Sequence, residues 1–287
     1  MPSTFPGRAL AALGLALALA APAAGHASEA FPNAARAGPP RFEDKDFLAE
    51  AVASPARAPQ NRARDRWRHP LESLTFWGVQ QGDVVLELSP GGGYWTEILA
   101  PFAKATGGRF VGTGPDVDNP TSARAREAYE TKFGVQTVTL TKTSGPLAAP
   151  GTIDFILTAR NIHNWMAQGM LDKVLADSFA ALKPGGIFAV EEHRSDPRPM
   201  AAGASDGYVS EGYVIAAARK AGFVLEARSE INANPKDPKD HPFGVWTLPP
   251  TRQSAPFGRP PDPNFDHSRY DAIGESDRMT LRFRKPA

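Results

Sequence analysis

The chain contains no cysteine. That absence excludes disulfide frameworks, thiolate metal centres and cysteine nucleophiles, and it fits an oxidising compartment reached without any covalent staple. Net charge is almost as scarce: 32 basic residues against 31 acidic ones leave +1. No uniform field exists to draw in nucleic acid or an anionic membrane surface, so a nucleic-acid partner is not expected. Long apolar runs are lacking too. The longest, Ala9 to Ala21 with only Gly14 interrupting, falls short of the roughly 20 residues a membrane-spanning helix needs. No membrane span is expected after it.

That run follows Arg8 and precedes two small-x-small sites, Ala21-Pro22-Ala23 and Gly25-His26-Ala27. A short basic region, an apolar core and a small-residue site predict a secretory signal peptide over residues 1–27, cleaved after Ala23 or Ala27. The expected destination is the periplasm or the exterior.

What is present is an ordinary globular composition, 41% hydrophobic and 22% charged, with 26 Gly and 28 Pro concentrated toward the two ends. Residues 28–70 form a leader with a short helix around 44–53 followed by five arginines within twelve residues, Arg57, Arg62, Arg64, Arg66 and Arg68. These arginines suit either a solvated connector or a basic helical lid. Residues 71–287 form the main domain, with an irregular, proline-rich insertion at 232–267 that serves as a lid or as surface structure.

Short apolar runs bounded by turn residues predict strands at Val84–Leu88, Arg109–Thr113, Val135–Leu140, Ile153–Thr158, Ile187–Glu191 and Phe223–Ala227. Arg278 to Arg284 alternates and reads as an edge strand with one wet face. Helical periodicity predicts helices at Tyr94–Ala103, Ser122–Lys132, Gln168–Leu182 and Val209–Ala221. Alternating strands and helices imply an α/β fold, a doubly wound, mostly parallel sheet in a three-layer α/β/α arrangement, with ligands at the carboxyl edge of the strands.

Ser89 to Gly93 and Arg160 to Trp165 fall on that edge. Gly91, Gly92 and Gly93 can take positive φ and let a ligand lie against backbone at a helix N-terminus, or they can simply make a tight turn. The run lacks the lysine and hydroxyl pair of a phosphate-binding loop. After the fourth strand, His163 offers a general base near neutrality or a structural imidazole. Asn161 orients a nucleophile or caps the turn, and Trp165 lines a pocket or packs. Alternation puts Glu191 and His193 on one side of the fifth strand and Glu192 on the other. With His163 those groups could ligate zinc or iron, but their spacing is not diagnostic and no metal site is assigned; Glu192 tied to a core arginine is the simpler arrangement.

The run VVLELSPGGGYWTEILAPF resembles motif I of class I S-adenosylmethionine-dependent methyltransferases. LKPGGIFAVEEHR (Leu182 to Arg194) resembles the family's turn into strand five, and DRMTLRFRKP its closing antiparallel strand. RHPLESLTFWGV and ARNIHNW narrow the resemblance to a group of predicted, often exported methyltransferases of unknown substrate. The resemblance implies a seven-stranded sheet of order 3-2-1-4-5-7-6 with the last strand antiparallel, and S-adenosyl-L-methionine as cofactor. It implies contacts from Glu87, Ser89, Gly91, Gly93, Thr113 and Asp116, with His163, Asn161 and Glu191 at the reacting end. Where the family carries an acidic residue closing strand two, this sequence has Thr113-Gly114, with Asp116 just beyond. Two other uses of the scaffold stay open at this point: a cofactor-free binding or structural protein, and a metal-dependent enzyme.

Overall fold

The computed structural model describes residues 46–287 except 198. The expected signal peptide and residues 28–45 of the leader lie outside the described residues. An N-terminal arm contains α1 (Phe47–Ala53), α2 (Pro59–Arg62), α3 (Asp65–Arg68) and α4 (Pro70–Trp77). Then follow β1 (Val84–Leu88), α5 (Thr96–Ala105), β2 (Arg109–Gly114), α6 (Pro120–Phe133), β3 (Gln136–Thr139) and β4 (Ile153–Ala159). The second half holds α7 (Ile162–Gln168), α8 (Leu171–Ala181), β5 (Leu182–His193), α9 (Glu211–Lys220), β6 (Val224–Ser229), α10 (Ser268–Ile273) and β7 (Arg278–Arg284).

The strands make one sheet of order β3-β2-β1-β4-β5-β7-β6. β7 runs antiparallel to both neighbours and the remaining pairs are parallel, as expected. Successive residues of each strand point to opposite faces, and this splits the core in two. Val85, Phe155 and Ile187 meet Leu74, Trp77, Trp95 and Leu99 from α4 and α5 on one face. Leu86, Ile156 and Phe188 meet Val174, Leu175, Val214 and Ala218 from α8 and α9 on the other. β1 is apolar on both sides because it is central and covered twice.

Four sequence expectations are corrected. β7 is not an edge strand: it lies between β5 and β6, and even its polar positions Arg278 and Thr280 are buried. The arm covers the side that alternation had left wet, and Arg282 Nη1 donates to the Phe76 carbonyl at 2.7 Å. The segment after β4 is helical from Ile162, and Gly169 at φ 64° ends that turn, so the next helix starts at Leu171 and not Gln168. β5 begins at Leu182, five residues early, because Pro184 and Gly185 are absorbed by a register shift against β4. The five arginines of the arm are not uniformly solvated: Arg62 and Arg66 are exposed and Arg64 is half-buried. Arg57 and Arg68 are buried, and Arg57 forks onto Asp65 at 2.7 and 2.8 Å.

The proline-rich insertion is fixed at its root. Asn234 Nδ2 donates to the carbonyls of Ile273 and Glu275, and buried Asp237 accepts from Tyr208 Oη and pairs with His241 Nε2 at 2.8 Å.

Candidate functional site

The carboxyl ends of β1 and β4 diverge where the strand order reverses, and two cavities open there on either side of the glycine turn. Ser89, Pro90, Gly91 and Asn161 line both. The turn is strained on the cavity side: Ser89 sits at φ 48° and Gly91 at φ 57°. A Cβ placed on Gly91 would meet nothing within 4 Å, so this glycine keeps space open for a ligand. Gly93 differs. Its Cβ would lie 2.3 Å from the Phe133 ring, which makes it a packing glycine that lets α6 close on the turn, and it lines neither cavity.

The first cavity, about 450 Å³, lies over the ends of β1, β2 and β3. Thr113 lines it, and its Oγ1 accepts from the Ser89 N–H at 2.7 Å. Tyr129 and Arg126 form the outer wall. Arg126 is already committed, donating to Thr139 Oγ1, to Glu130 and to the Thr137 carbonyl. Asp116 is exposed and outside the lining, and its carboxylate accepts from the Asp118 N–H. No carboxylate lines this cavity among the described residues.

Glu87 lies beneath the turn, buried and out of both linings. It accepts from Thr96 Oγ1 at 2.6 Å, and Thr96 in turn meets Tyr129 Oη. Burial pushes the Glu87 carboxyl up to about 7, against the lowering effect of the Thr96 hydroxyl. Its role is to tie the start of α5 to β1 under the ligand wall.

The second cavity, about 310 Å³, is bounded by Arg64 of the arm, Arg160, His163 and His193, and is roofed by Val245, Trp246 and Pro249 of the insertion. Asn161 Nδ2 donates to the Leu88 carbonyl at 3.0 Å and to the Ser89 carbonyl at 3.3 Å, so its amide fastens β4 to the glycine turn. His163 opens α7, with Nδ1 3.0 Å from Glu192 Oε1. Glu192 Oε2 accepts from the Ile162 N–H at 2.6 Å, and Oε1 also accepts from the His193 N–H at 2.8 Å. Surrounded by donors, the carboxylate fixes the tautomer with hydrogen on His163 Nδ1 and leaves Nε2 as acceptor.

Ligand atoms of His163, Glu192 and His193 fall within 4.8 Å of one another. The bonds just described use both oxygens of Glu192, and His193 Nδ1 lies 2.5 Å from Ser276 Oγ, so the trio is arranged as a hydrogen-bond relay. Burial, then the nearby His163 and three arginines, push the His193 imidazole well below its ordinary value and hold it neutral.

Glu191 turns the other way. Its carboxylate is fully buried and bound to Arg278 at 2.6 Å, so the two glutamates exchange the expected roles: Glu191 takes the core arginine and Glu192 supports the histidine. The residues that sequence reasoning missed are Tyr129, Arg126 and Glu275. Glu192 was named there, but with a core arginine as its partner in place of His163.

No protein-family model matches the chain. Over 143 residues, 49% of the chain, it is 29% identical to the ubiquinone/menaquinone biosynthesis C-methyltransferase UbiE of Hydrogenovibrio crunogenus. The match spans about half the length, 53%, of that relative. Among solved structures it is similar to the [4+2]-cyclase SpnF, at 16% identity and TM-score 0.52, covering 84% of this chain and 92% of that one. A methyltransferase from Aquifex aeolicus gives 20% identity and TM-score 0.48 over 59% of this chain and 87% of that one. The fold is thus shared with SpnF.

Proposed function

We propose that the protein transfers a methyl group from S-adenosylmethionine to a small-molecule acceptor, with His163 as the base that takes the acceptor's proton. The observation that carries this reading is the pair of cavities joined at Gly91, one nucleoside-sized and uncharged by carboxylates, the other floored by the His163–Glu192 pair. An elongated cofactor fits that shape, and the open space at Gly91 is where its middle would pass. Ser89, Gly91, Thr113 and Tyr129 would hold it.

When bound, the cofactor supplies an electrophilic methyl group on a sulfonium. The chain's own contribution is alignment and proton removal. His163 Nε2 is left as acceptor by the Nδ1 contact to Glu192, and the imidazolium formed on proton capture is stabilised by that carboxylate. Trp246, its ring 5.8 Å from that of His163, and the prolines of the insertion keep water from the acceptor. Export to the periplasm or exterior belongs to the same proposal and is supported by the Ala9–Ala21 run and its small-residue sites.

A second reading follows from one observation, the missing carboxylate at the end of β2. A protein of this fold is named for cyclisation, so the scaffold alone does not dictate methyl transfer.

The test is turnover with labelled cofactor against a panel of hydroxyl, amine and carbon-acid acceptors. His163→Ala is expected to lose about 10²-fold or more in kcat with S-adenosylhomocysteine affinity unchanged, and Glu192→Gln to lose less. A His163→Ala enzyme as active as the parent removes the base from the mechanism.

A further inference from the structure

The floor of the second cavity carries more positive charge than the fold needs. Glu275 is a single buried carboxylate among four guanidiniums, with Arg64 Nε at 2.6 Å, Arg68 Nε and Arg278 Nη1 at 3.0 Å, and Arg160 Nη1 at 3.9 Å. Glu191 adds one more negative charge, through Arg278. Among the described residues four guanidiniums therefore face two carboxylates, an excess of two positive charges in a largely buried cluster.

The excess is aimed at the cavity. Arg64, Arg160 and Glu275 all line it. Arg160 stands at φ 61°, a left-handed conformation costly for a side chain of its size, immediately after β4. Among the described residues its guanidinium makes only the loose 3.9 Å contact to Glu275, and its buried Nε has no hydrogen-bond partner there. Arg64 Nη2 and both terminal nitrogens of Arg68 are likewise buried and unpaired among the described residues. Donors left unpaired in such a place cost free energy unless something accepts from them. Burial lowers the affinity of the Arg160 guanidinium for its proton, with smaller contributions from Arg64 and Arg278 against the raising effect of Glu191 and Glu275.

We infer that Arg160 and Arg64 form an oxyanion-binding well and that the methyl acceptor carries a carboxylate or phosphate held there, beside the His163 base. This inference rests on the methyltransferase reading for the word acceptor only; the well itself is a statement about anion binding. A planar guanidinium fork suits either oxyanion. The roof of Trp246 and Pro249 suits a flat apolar body attached to it.

Benzoate and its neutral isostere benzamide are the probes, titrated by calorimetry or protein-observed NMR without cofactor. Benzoate is expected to bind the full chain at least about tenfold more tightly than benzamide, the scale of one charge-assisted contact. Arg160→Gln should erase that preference, and Arg64→Gln should reduce it; the second variant keeps the test decisive if the first fails to fold. S-adenosylhomocysteine affinity should stay within about threefold in Arg160→Gln. Equal binding of the two probes, or no binding of benzoate, overturns the well. A tenfold loss of S-adenosylhomocysteine affinity in Arg160→Gln also overturns the inference, because it gives the guanidinium to the cofactor's own carboxylate. Selective benzoate binding in a protein that ignores S-adenosylhomocysteine upholds the well and sinks the methyltransferase reading instead.

Discussion

The two cavities that share Gly91 are built on opposite principles. The one over β1, β2 and β3 is quiet: Thr113 accepts from the Ser89 backbone, the Thr137 hydroxyl donates to Glu130, its arginine is consumed by Glu130, Thr137 and Thr139, and among the described residues no carboxylate lines it. The one over β4 and β5 is charged and under-satisfied, with unpaired guanidinium nitrogens and an imidazole backed by a buried carboxylate. A site whose charges are already neutralised within the protein gains little from a ligand's charge. A site holding buried donors without partners gains a great deal. The first cavity therefore reads as a generic nucleoside seat, and the second as the place where substrate identity is decided.

The largest effect should come from the charged side. Glu275→Gln removes one of only two carboxylates from the arginine cluster, and losing one partner of a buried ion network costs about 3–5 kcal/mol. Denaturant unfolding would read this directly. A loss under about 1 kcal/mol would mean the cluster is effectively solvated, and the contrast between the cavities would collapse.

Next in size is the shared wall. Gly91→Val places a β-branched side chain at φ 57° and fills the space between the two cavities. Its nearest surroundings are open, so folding should survive while S-adenosylhomocysteine affinity falls about tenfold or more. Equal affinity in folded parent and variant would take Gly91 out of the site.

The smallest effect tests the ground under the quiet cavity. Burial raises the Glu87 carboxyl to about 7, above its value in the unfolded chain, so the folded state binds the extra proton between those two values. Stability from this group is fully present below its unfolded value and is lost as pH rises toward about 7. Glu87→Gln should change stability by no more than about 1 kcal/mol at pH 5, where the carboxyl is neutral, and should flatten the decline toward pH 8. An unchanged slope in the variant would show that Glu87 ionises freely where it sits.

Much of this was legible in the residues. The Val84–Leu88 run and the Arg278–Arg284 alternation gave both strands with their observed bounds, because each signal lies within one element. The glycine turn was legible for the same reason, although Gly91 and Gly93 look alike until the Phe133 ring appears against one of them. The exchange of Glu191 and Glu192 was not legible. Alternation says that two neighbours face opposite sides, and only the residues brought in by other elements, Arg278 from β7 and His163 from α7, say which side is which. The arginine well was least legible of all, since Arg64 and Arg68 meet Glu275 across more than two hundred residues of chain. The helix at Ile162 was hidden by its brevity, seven residues closed by Gly169.

Whether the quiet cavity holds the cofactor decides between a methyltransferase and another use of the fold. Calorimetric titration of the full chain with S-adenosylhomocysteine measures it. A hydroxyl acceptor missing from the end of β2 costs about 1.5–3 kcal/mol, or one to two decades of affinity. Saturable one-site binding with a Kd of about 10–1000 µM is the expected result. The absence of any binding heat at millimolar ligand, in protein shown to be folded, would contradict it.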